Sequence, residues 1–184
     1  MAVAKTKTLM TAEEFFSLPE TEGKQELVRG EVVEMSPVGG MHGRTAVRLS
    51  RRMDERAEQT GAGVVVVETG YVLERGPDTV RGPDVSFISA TRLPGGSIPD
   101  TFIDMAPDIA VEIFSPGDRL TELRRKAREY LAAGAQRVWM LHPTRKTATV
   151  YSPDGSERVL RGDDILSGED LLPGFEVHVG DLFD

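Results

Sequence analysis

The sequence predicts an α/β or α+β fold with a mixed β-sheet. Segments with the apolar patterns of strands alternate with two long segments of helical period. Glycines and prolines separate these segments at short intervals, and no linker is long enough to divide the chain. The chain has 184 residues, of which 39% are hydrophobic, so it can bury a substantial core. We therefore expect one domain over residues 1–184.

The N-terminal part, residues 11–36, predicts a short helix followed by a β-hairpin. Thr11 and Glu14 have the spacing of a capping box, and Pro19 indicates where the helix stops. Two runs of alternating apolar residues then flank the dipeptide Arg29–Gly30. This pattern predicts a tight turn between two antiparallel strands.

The core of the domain, residues 42–151, predicts two helices around buried strands. The first helix, over 41–61, ends near Gly61 and carries an apolar stripe at helical spacing. The second helix, over 118–133, is closed by Gly134, a residue type common after helix C-termini. The stripe of the first helix consists of Ala46, Leu49, Met53 and Ala57.

Strands are predicted on both sides of the second helix. The most apolar segment before it, 63–73, predicts one strand that lies centrally in the sheet. Segment 90–106 is rich in glycine and proline and predicts a loop. The C-terminal strands, 157–184, end in a short terminal element. The other predicted strands cover 83–89, 107–115, 137–143, 147–153 and 157–162.

The composition excludes several kinds of protein. The chain has no cysteine, which excludes disulfides, thiolate metal sites and a thiol nucleophile. No apolar run approaches the roughly 18 residues of a membrane span, and the first ten residues lack the apolar core of a signal peptide. We therefore expect a cytoplasmic protein without a membrane partner. A net charge of −8 argues against strong non-specific binding to nucleic acid, but it leaves room for a local basic patch.

Two predicted strands carry carboxylates in unexpectedly apolar surroundings. Because side chains alternate along a strand, Asp108 and Glu112 share one face of segment 107–115. If this strand pairs with the one before it, Asp84 and Glu112 converge. Buried carboxylates are costly unless a charged partner or a metal neutralises them. Mg²⁺ is often held by one or two carboxylates with water as the other ligands, so the pair suits a magnesium site.

The second predicted helix offers a lysine beside the same sheet. Lys126 lies at the edge of the apolar stripe, three residues after Leu123 and four before Tyr130. It can therefore lean toward the sheet, whereas Arg125 and Glu129 point to solvent. A lysine there can orient an attacking water or offset the charge of a scissile phosphate. The alternative is an ordinary lysine on the helix surface.

Four blocks of the chain resemble a known family. They are ELVRGEVVEMSP followed shortly by His42, RGPDVSFIS, PDIAVEIFSPGDR and KAREYLAAGAQRVWMLHP. In this order they resemble the Uma-type family of restriction endonucleases, within the PD-(D/E)XK nuclease superfamily, from Thr11 to the last strands. The resemblance implies a restriction-endonuclease-like core: a mixed β-sheet flanked by helices, with metal ligands on adjacent strands.

The resemblance also implies a metal site. Asp84 matches the aspartate of the superfamily motif and Glu112 its second acidic residue, so both are expected to bind Mg²⁺ or Mn²⁺. The Ile113 carbonyl is a candidate further ligand. The motif's lysine would fall at Phe114, and the resemblance implies that the following helix supplies it instead, as Lys126.

Three further residues are candidates for supporting roles. Glu26 resembles an additional acidic residue of the superfamily, with a salt bridge of the hairpin as the alternative. His42 stands at a family-type position, although an N-terminal helix residue without a site role is the simpler interpretation. Asp108 shares a face with Glu112 and either caps the start of its strand or supports the site from behind the ligands; a direct contact with the metal is the third alternative.

The first long helix carries a row of arginines opposite its apolar stripe. Arg44, Arg48 and Arg51 are candidates for contacts to a DNA backbone. Acidic residues interleave with them, which favours a solvated face with pairs within the helix. The row continues with Arg52 and Arg56, and the interleaved residues are Asp54, Glu55 and Glu58.

The leading hypothesis is a Mg²⁺- or Mn²⁺-dependent endonuclease that hydrolyses phosphodiester bonds in DNA. In it Asp84 and Glu112 bind the metal, Lys126 positions or activates water, and Glu26 assists electrostatically. The alternative is a catalytically inactive nuclease fold that acts as a nucleic-acid-binding or oligomeric regulatory module. A homodimer is expected by family analogy, because cutting both strands of a duplex needs two sites.

Overall fold

The computed structural model of the protein describes residues 9–19 and 23–184. The first eight residues, on which part of the cytoplasmic expectation depends, lie outside the described residues. The helices are α1 (Ala12–Phe16), α2 (Gly40–Thr60) and α3 (Leu120–Ala132). The strands are β1 (Gln25–Val28), β2 (Glu31–Glu34), β3 (Gly63–Val67), β4 (Tyr71–Glu74), β5 (Thr79–Arg81), β6 (Val85–Ser89), β7 (Ile109–Ile113), β8 (Arg137–His142), β9 (Thr147–Tyr151), β10 (Glu157–Arg161), β11 (Ile165–Ser167) and β12 (Glu176–His178).

A mixed six-stranded sheet forms the centre of the fold, in the order β10-β9-β8-β7-β6-β3. Strands β7 and β8 are parallel, and the other neighbours in this sheet are antiparallel. Parallel neighbours need a crossover connection, and α3 provides it. The predicted fold class, a mixed sheet flanked by helices, is confirmed.

Helix α2 covers one face of this sheet and forms its most apolar interface. The inward residues of β7 on this side are Ile109, Val111 and Ile113, all buried. The predicted stripe residues Leu49, Met53 and Ala57 pack against them, and Ala46 is partly buried at the edge of the same cluster. The C-terminal segment completes this core with Leu166, Leu172, Phe175, Val177, Leu182 and Phe183.

Helix α3 covers the opposite face of the sheet. Leu123, Ala127 and Tyr130 of the helix pack against small or flexible residues of β7 and β8, such as Ala110 and Met140. The apolar cluster on this side is smaller, because Glu112 and Lys126 occupy part of the interface. The alternation predicted for β7 is therefore confirmed, with its carboxylate on the α3 side.

A second, four-stranded sheet has the order β2-β1-β5-β4 and holds the N-terminal helix. The capping box of α1 is confirmed: the Thr11 hydroxyl accepts from the Glu14 N–H at 3.2 Å, and Glu14 Oε2 accepts from the Thr11 N–H at 2.8 Å. The hairpin turn is also confirmed, with φ of 52° at Arg29 and 78° at Gly30. Two left-handed residues in sequence match the twist of the flanking strands.

The prediction of one central strand over 63–73 is wrong. Strand β3 lies at the edge of the six-stranded sheet and β4 at the edge of the other sheet. The chain turns between them at Glu68, whose φ is 53°, and at Gly70, where a Cβ atom would lie 2.4 Å from a ring carbon of Phe102. Strand β5 lies within a segment for which no strand was predicted, because three residues are too few to show a period.

The predicted helix bounds hold to within two residues. Helix α2 ends at Thr60 and is capped by Gly61, which takes the left-handed conformation as expected. Helix α3 covers Leu120–Ala132, against the predicted 118–133. Segment 90–106 contains no strand and only a short 3₁₀ turn. Across residues 9–19 and 23–184, no helix combines the length and the apolar character that crossing a bilayer requires.

Candidate active site

The pairing of β6 with β7 brings the two predicted carboxylates side by side. Val85 stands opposite Val111, and Ser86 opposite Ala110. One further step in this antiparallel register sets Asp84 opposite Glu112, and directly opposite residues share a face. Both residues are buried, with 5% and 4% of their surfaces exposed. The convergence expected from the sequence is therefore present.

Asp84 is held by three donors from three segments. Its Oδ2 accepts from the Ile113 N–H at 2.6 Å, and its Oδ1 lies 3.3 Å from His42 Nε2 and 3.4 Å from Lys24 Nζ. Burial alone would raise the pKa of the Asp84 carboxyl, but the His42 hydrogen bond and the Lys24 charge outweigh burial and lower it. Asp84 is therefore ionised at neutral pH. Two of its three contacts are long, so Oδ1 is only loosely held.

Glu112 lies deeper and depends on α3. Its Oε1 accepts from the Tyr130 hydroxyl at 2.9 Å, and Lys126 Nζ lies 3.2 Å from Oε2 and 3.4 Å from Oε1. Burial raises the pKa of the Glu112 carboxyl to about 7; the Lys126 ammonium acts against this rise, while Asp84 and Glu26 add to it. A carboxyl with such a pKa exchanges its proton near neutral pH.

Lys126 is a buried cation and not a surface lysine. Its ammonium lies 3.0 Å from Glu26 Oε1 and 3.2 Å from Glu112 Oε2. Burial alone would lower the pKa of Lys126, but the carboxylates of Glu112 and Glu26 raise it above its usual range. Lys126 is therefore a permanent ammonium that neutralises two carboxylates. It is not available as a proton acceptor.

Glu26 connects this network to a buried arginine. Its Oε2 lies 2.6 Å from Arg81 Nη1, while Arg81 Nε and Nη2 lie 2.8 and 2.7 Å from Glu129 Oε2. Burial alone would raise the pKa of Glu26, but Lys126 and Arg81 together lower it. The expectation that Glu129 points to solvent is wrong, because it faces the buried guanidinium of Arg81. Glu26 therefore contacts Lys126 and Arg81, and its role is not limited to a salt bridge within the hairpin.

His42 and Lys24 complete the surroundings of Asp84. His42 Nδ1 lies 3.0 Å from Ser115 Oγ, so the ring bridges Ser115 and Asp84. Burial alone would lower the pKa of His42, but the hydrogen bond to Asp84 raises it. Lys24 Nζ lies 2.7 Å from Glu68 Oε2 in addition to Asp84. The first turn of α2 thus contributes a residue to the site.

The side chains of Asp108, Ile113 and Phe114 lie outside this network. Asp108 accepts from the Ser89 N–H at 2.7 Å and from Arg92 Nη1 at 2.8 Å, at the start of β7. Ile113 contacts Asp84 through its N–H, whereas its carbonyl was the expected contributor. Phe114 stacks on His142, with ring centroids 4.3 Å apart.

The predicted arginines lie on the exposed side of α2. They line a surface depression of about 530 Å³. Arg48 Nη1 donates to the Asp181 carbonyl at 3.3 Å, and Asp181 and Asp184 also line this depression, so its charge is mixed. The arginines concerned are Arg44, Arg48, Arg51 and Arg52.

Sequence reasoning missed several members of the network. Arg81 stands in a short strand that shows no period, and Lys24 precedes the hairpin without any motif. Tyr130 was assigned only to the apolar stripe, although it lies four residues after Lys126 on the same helix face. A buried tyrosine hydroxyl needs a partner, which was the available signal for its contact with Glu112.

The donor set fits a hard divalent cation. Mg²⁺ and Mn²⁺ take oxygen ligands and keep several waters, so two carboxylates suffice. Asp84 and Glu112 supply oxygens from adjacent strands, and the ammonium groups of Lys24 and Lys126 lie where positive charge is required. Among the described residues, no three histidine, cysteine, aspartate or glutamate side chains are grouped as for a cage made only of protein ligands. Such a site would depend on water.

Comparisons with known proteins show the family and the fold of the chain. The family model described as "Uma2: Putative restriction endonuclease" matches residues 12–180. A crystal structure from Anabaena variabilis ATCC 29413, of "a putative nuclease belonging to DUF820", superposes with a TM-score of 0.85 at 24% sequence identity. The match covers 95% of this chain and 97% of that chain, so the fold is shared along nearly the whole length. No curated protein matches this chain.

Proposed function

The chain belongs to the Uma2 family, whose model is described as "Putative restriction endonuclease". From this premise we propose that it is a Mg²⁺- or Mn²⁺-dependent endonuclease that hydrolyses phosphodiester bonds in DNA. Membership in the family supports a nuclease function. One observation carries the finer proposal: the buried carboxylates of Asp84 and Glu112 are opposite each other, beside two lysine ammonium groups. Carboxylates that are paired in this way are the expected ligands of a catalytic divalent cation.

In this proposal Asp84 and Glu112 hold the cation. When bound, the cation would supply Lewis acidity and lower the pKa of a coordinated water. Asp84 is already ionised and fixed by the Ile113 N–H, so it is ready to bind. Glu112 has a pKa of about 7 in the metal-free protein and must lose its proton to become a ligand.

Lys126 has an electrostatic role in this proposal. Because its pKa is raised, it stays charged and favours the ionised form of Glu112. Glu26, which is itself held by Arg81, holds the ammonium in place from behind. In this assignment Lys126 does not activate water, as the sequence analysis suggested, but stabilises the negative charge of Glu112.

His42 positions Asp84 from outside the metal site. Its ring contacts Asp84 through Nε2 and Ser115 through Nδ1, so it fixes the carboxylate relative to the end of β7. Such partners behind the ligands orient them and tune their affinity. We assign no site role to Asp108, because its carboxylate is satisfied by Ser89 and Arg92.

DNA cleavage with matched variants tests the proposed function. Supercoiled plasmid is incubated with wild-type protein and Mg²⁺ or Mn²⁺, and nicked and linear products are quantified. Glu112→Gln and Asp84→Asn are expected to lower the cleavage rate at least about a hundredfold, because each removes a ligand. Glu157→Gln, at a surface carboxylate paired with Arg124, is the control and should cleave like the wild type.

The same experiment separates the rival function. Cleavage that persists in Asp84→Asn and Glu112→Gln would contradict the assigned site. A wild-type protein that binds DNA but never cleaves it, with either metal, would instead be the inactive nuclease-fold module. A parallel assay with RNA of the same sequence decides the nucleic acid.

Contacts to the DNA backbone by Arg44, Arg48 and Arg51 form a further part of the proposal. Phosphate contacts make affinity depend on salt, with a slope close to one per contact. Replacing Arg44 and Arg51 by glutamine should lower the slope of log Kd against log salt by about two in the presence of Ca²⁺. An unchanged slope would leave these arginines as a solvated helix face.

We also propose a homodimer, because double-strand cleavage needs two sites. Sedimentation equilibrium of the purified protein measures the mass directly. A monomer at concentrations that give linear plasmid product would overturn this part.

A further inference from the structure

We propose that Lys24 is an internal counter-cation of Asp84 that gives up this contact and keeps its contact with Glu68 when a divalent cation binds. The inference rests on the proposed function, because it takes Asp84 and Glu112 as metal ligands. It adds a residue that sets how readily the metal binds. In this proposal Lys24 is a positioning residue and Glu68 is its second partner.

The contacts of Lys24 are unequal. Its ammonium lies 2.7 Å from Glu68 Oε2 and 3.4 Å from Asp84 Oδ1, so the shorter contact is already with Glu68. The Asp84 side chain is 6% exposed and the Glu68 side chain 52%. Lys24, at 26%, lies between the buried ligand and the solvent-exposed carboxylate. A small movement of the ammonium group therefore releases Asp84 while the contact with Glu68 is kept.

The backbone around Lys24 is held in place. The Lys24 carbonyl accepts from the Met35 N–H at 2.8 Å, which closes the base of the β1–β2 hairpin. The next strand residues place Glu26 in the same network. Only the flexible side chain of Lys24 has to move when it releases Asp84.

The position of Glu68 is specific as well. Its φ of 53° is in the left-handed region, which is uncommon for a residue with a side chain. This conformation ends β3 and separates it from β4, and the carboxylate lies against Lys24. Gly82 lies against both residues: a Cβ atom at this position would be 3.6 Å from the Glu68 carbonyl oxygen and 3.6 Å from Lys24 Cε. The turn that splits the predicted 63–73 strand thus delivers a carboxylate to the mouth of the site.

The need for a counter-cation follows from the charges. Asp84 and Glu112 stand opposite each other on adjacent segments, and Glu26 shares the Lys126 ammonium with Glu112, so three carboxylates lie close enough to repel one another. Lys126 is enclosed by Glu26 and Glu112 and lies 3.0 and 3.2 Å from them. Lys24 provides positive charge next to Asp84 from the solvent side. A divalent cation that binds Asp84 repels the Lys24 ammonium at short range, and Glu68 keeps it.

Binding of Mn²⁺ without any DNA tests this inference. The free Mn²⁺ signal in electron paramagnetic resonance gives the Kd for each variant. Lys24→Met removes the competing cation and is expected to tighten Mn²⁺ binding about three- to tenfold. Lys24→Arg keeps the charge and should stay within about twofold of the wild type. Lys146→Met is the control, because Lys146 pairs with the exposed Asp184 and should leave the Kd unchanged.

Glu68→Gln gives an effect of the opposite sign. Without its second partner, Lys24 stays on Asp84, and Mn²⁺ binding should weaken about threefold or more. In the Lys24→Met background the same Glu68→Gln change should have no effect, because Glu68 acts through Lys24. The Glu68 side chain is largely exposed, so this variant keeps the test available if Lys24→Met does not fold.

The outcomes separate this inference from the proposed function. If wild-type protein binds no Mn²⁺, or if binding survives Glu112→Gln, the metal site is wrong and the role of Lys24 is wrong with it. If Glu112→Gln abolishes binding but Lys24→Met has the wild-type Kd, the metal site stands and only the role of Lys24 is overturned. An equal loss from Glu68→Gln with and without Lys24 would overturn the role of Glu68.

Discussion

The two faces of the six-stranded sheet differ more than any other two regions of the molecule. Toward α2, strand β7 presents Ile109, Val111 and Ile113 to a continuous apolar core. Toward α3, the same strand presents Ala110 and Glu112, and Glu112 meets a buried ammonium and a tyrosine hydroxyl. The first face gains free energy from burial alone. The second is stable only while each charge keeps its partner.

This difference teaches how the fold divides its tasks. Buried ion pairs often stabilise a protein no more than apolar residues of the same volume. The α3 face therefore indicates a function, whereas the α2 face accounts for stability. Four predictions test this division, from the largest expected effect to the smallest.

The largest effect is expected on the α2 face. Trp139 is fully buried there and stacks on Phe175, with ring centroids 5.7 Å apart. Trp139→Ala should lower the free energy of unfolding by about 3–5 kcal/mol, measured by urea denaturation, because it leaves a large cavity. Trp139→Phe is the control and should cost less, since within the described part of the chain the indole N–H has no hydrogen-bond partner to lose. A loss below about 1 kcal/mol for Trp139→Ala would contradict the comparison.

The next effect separates stability from function on the α3 face. Lys126→Met leaves Glu26 and Glu112 without a shared cation and should lower the free energy of unfolding by about 3 kcal/mol. Adding Glu112→Leu removes the buried carboxyl that has lost its cation, so the double variant should recover most of that loss. Plasmid cleavage should be absent in both. A double variant no more stable than Lys126→Met would mean that the charged face is needed for folding itself.

A smaller effect, outside both faces, depends on pH. The Asp78 carboxylate accepts from the Ala12 and Gly76 N–H groups and pairs with Arg75. Burial would raise the pKa of Asp78, but these hydrogen bonds outweigh burial and lower it. Its contribution to stability is therefore present above the ordinary pKa of about 3.9 and is lost as pH falls through the lower folded value.

Asp78→Asn should accordingly cost about 1 kcal/mol at pH 7, because the amide cannot serve all three donors. In urea denaturation at pH 3 the difference from the wild type should shrink. Asp154→Asn, at an exposed turn carboxylate, is the matched surface variant and should be nearly neutral at pH 7. An equal loss at both pH values for Asp78→Asn would exclude the ionised carboxylate as the cause.

The smallest effect concerns the N-cap of α1. Thr11→Ala removes the hydroxyl that accepts from the Glu14 N–H and should lower the free energy of unfolding by about 0.5 kcal/mol, measured by thermal unfolding. Thr11→Ser keeps the hydroxyl and should stay close to the wild type. Because among the described residues α1 packs on the smaller sheet and on Phe102 of the 90–106 loop, plasmid cleavage should not change. A loss of cleavage in Thr11→Ala would show that the two sheets are coupled more tightly than the comparison holds.

Local patterns predicted much of the fold. The capping box at Thr11, the hairpin at Arg29 and Gly30, and the end of α2 at Gly61 each depend on a few neighbouring residues. The prediction of one strand over 63–73 was wrong for a physical reason. A continuous apolar run looks the same whether it stays in one strand or turns at Glu68 into another sheet.

The sequence by itself determined which side of β7 each residue takes, and therefore that Glu112 is on the polar side and Ile113 on the apolar side. This follows from the period of two in any strand. Only the tertiary structure decided what Glu112 and Asp84 meet. Lys126 reaches Glu26 across 100 positions of sequence, and Lys24 reaches Asp84 across 60. Such contacts depend on how sheets and helices pack, which no local pattern encodes. Here they join the carboxylates of Asp84 and Glu112 to lysines from distant parts of the chain in one charged network.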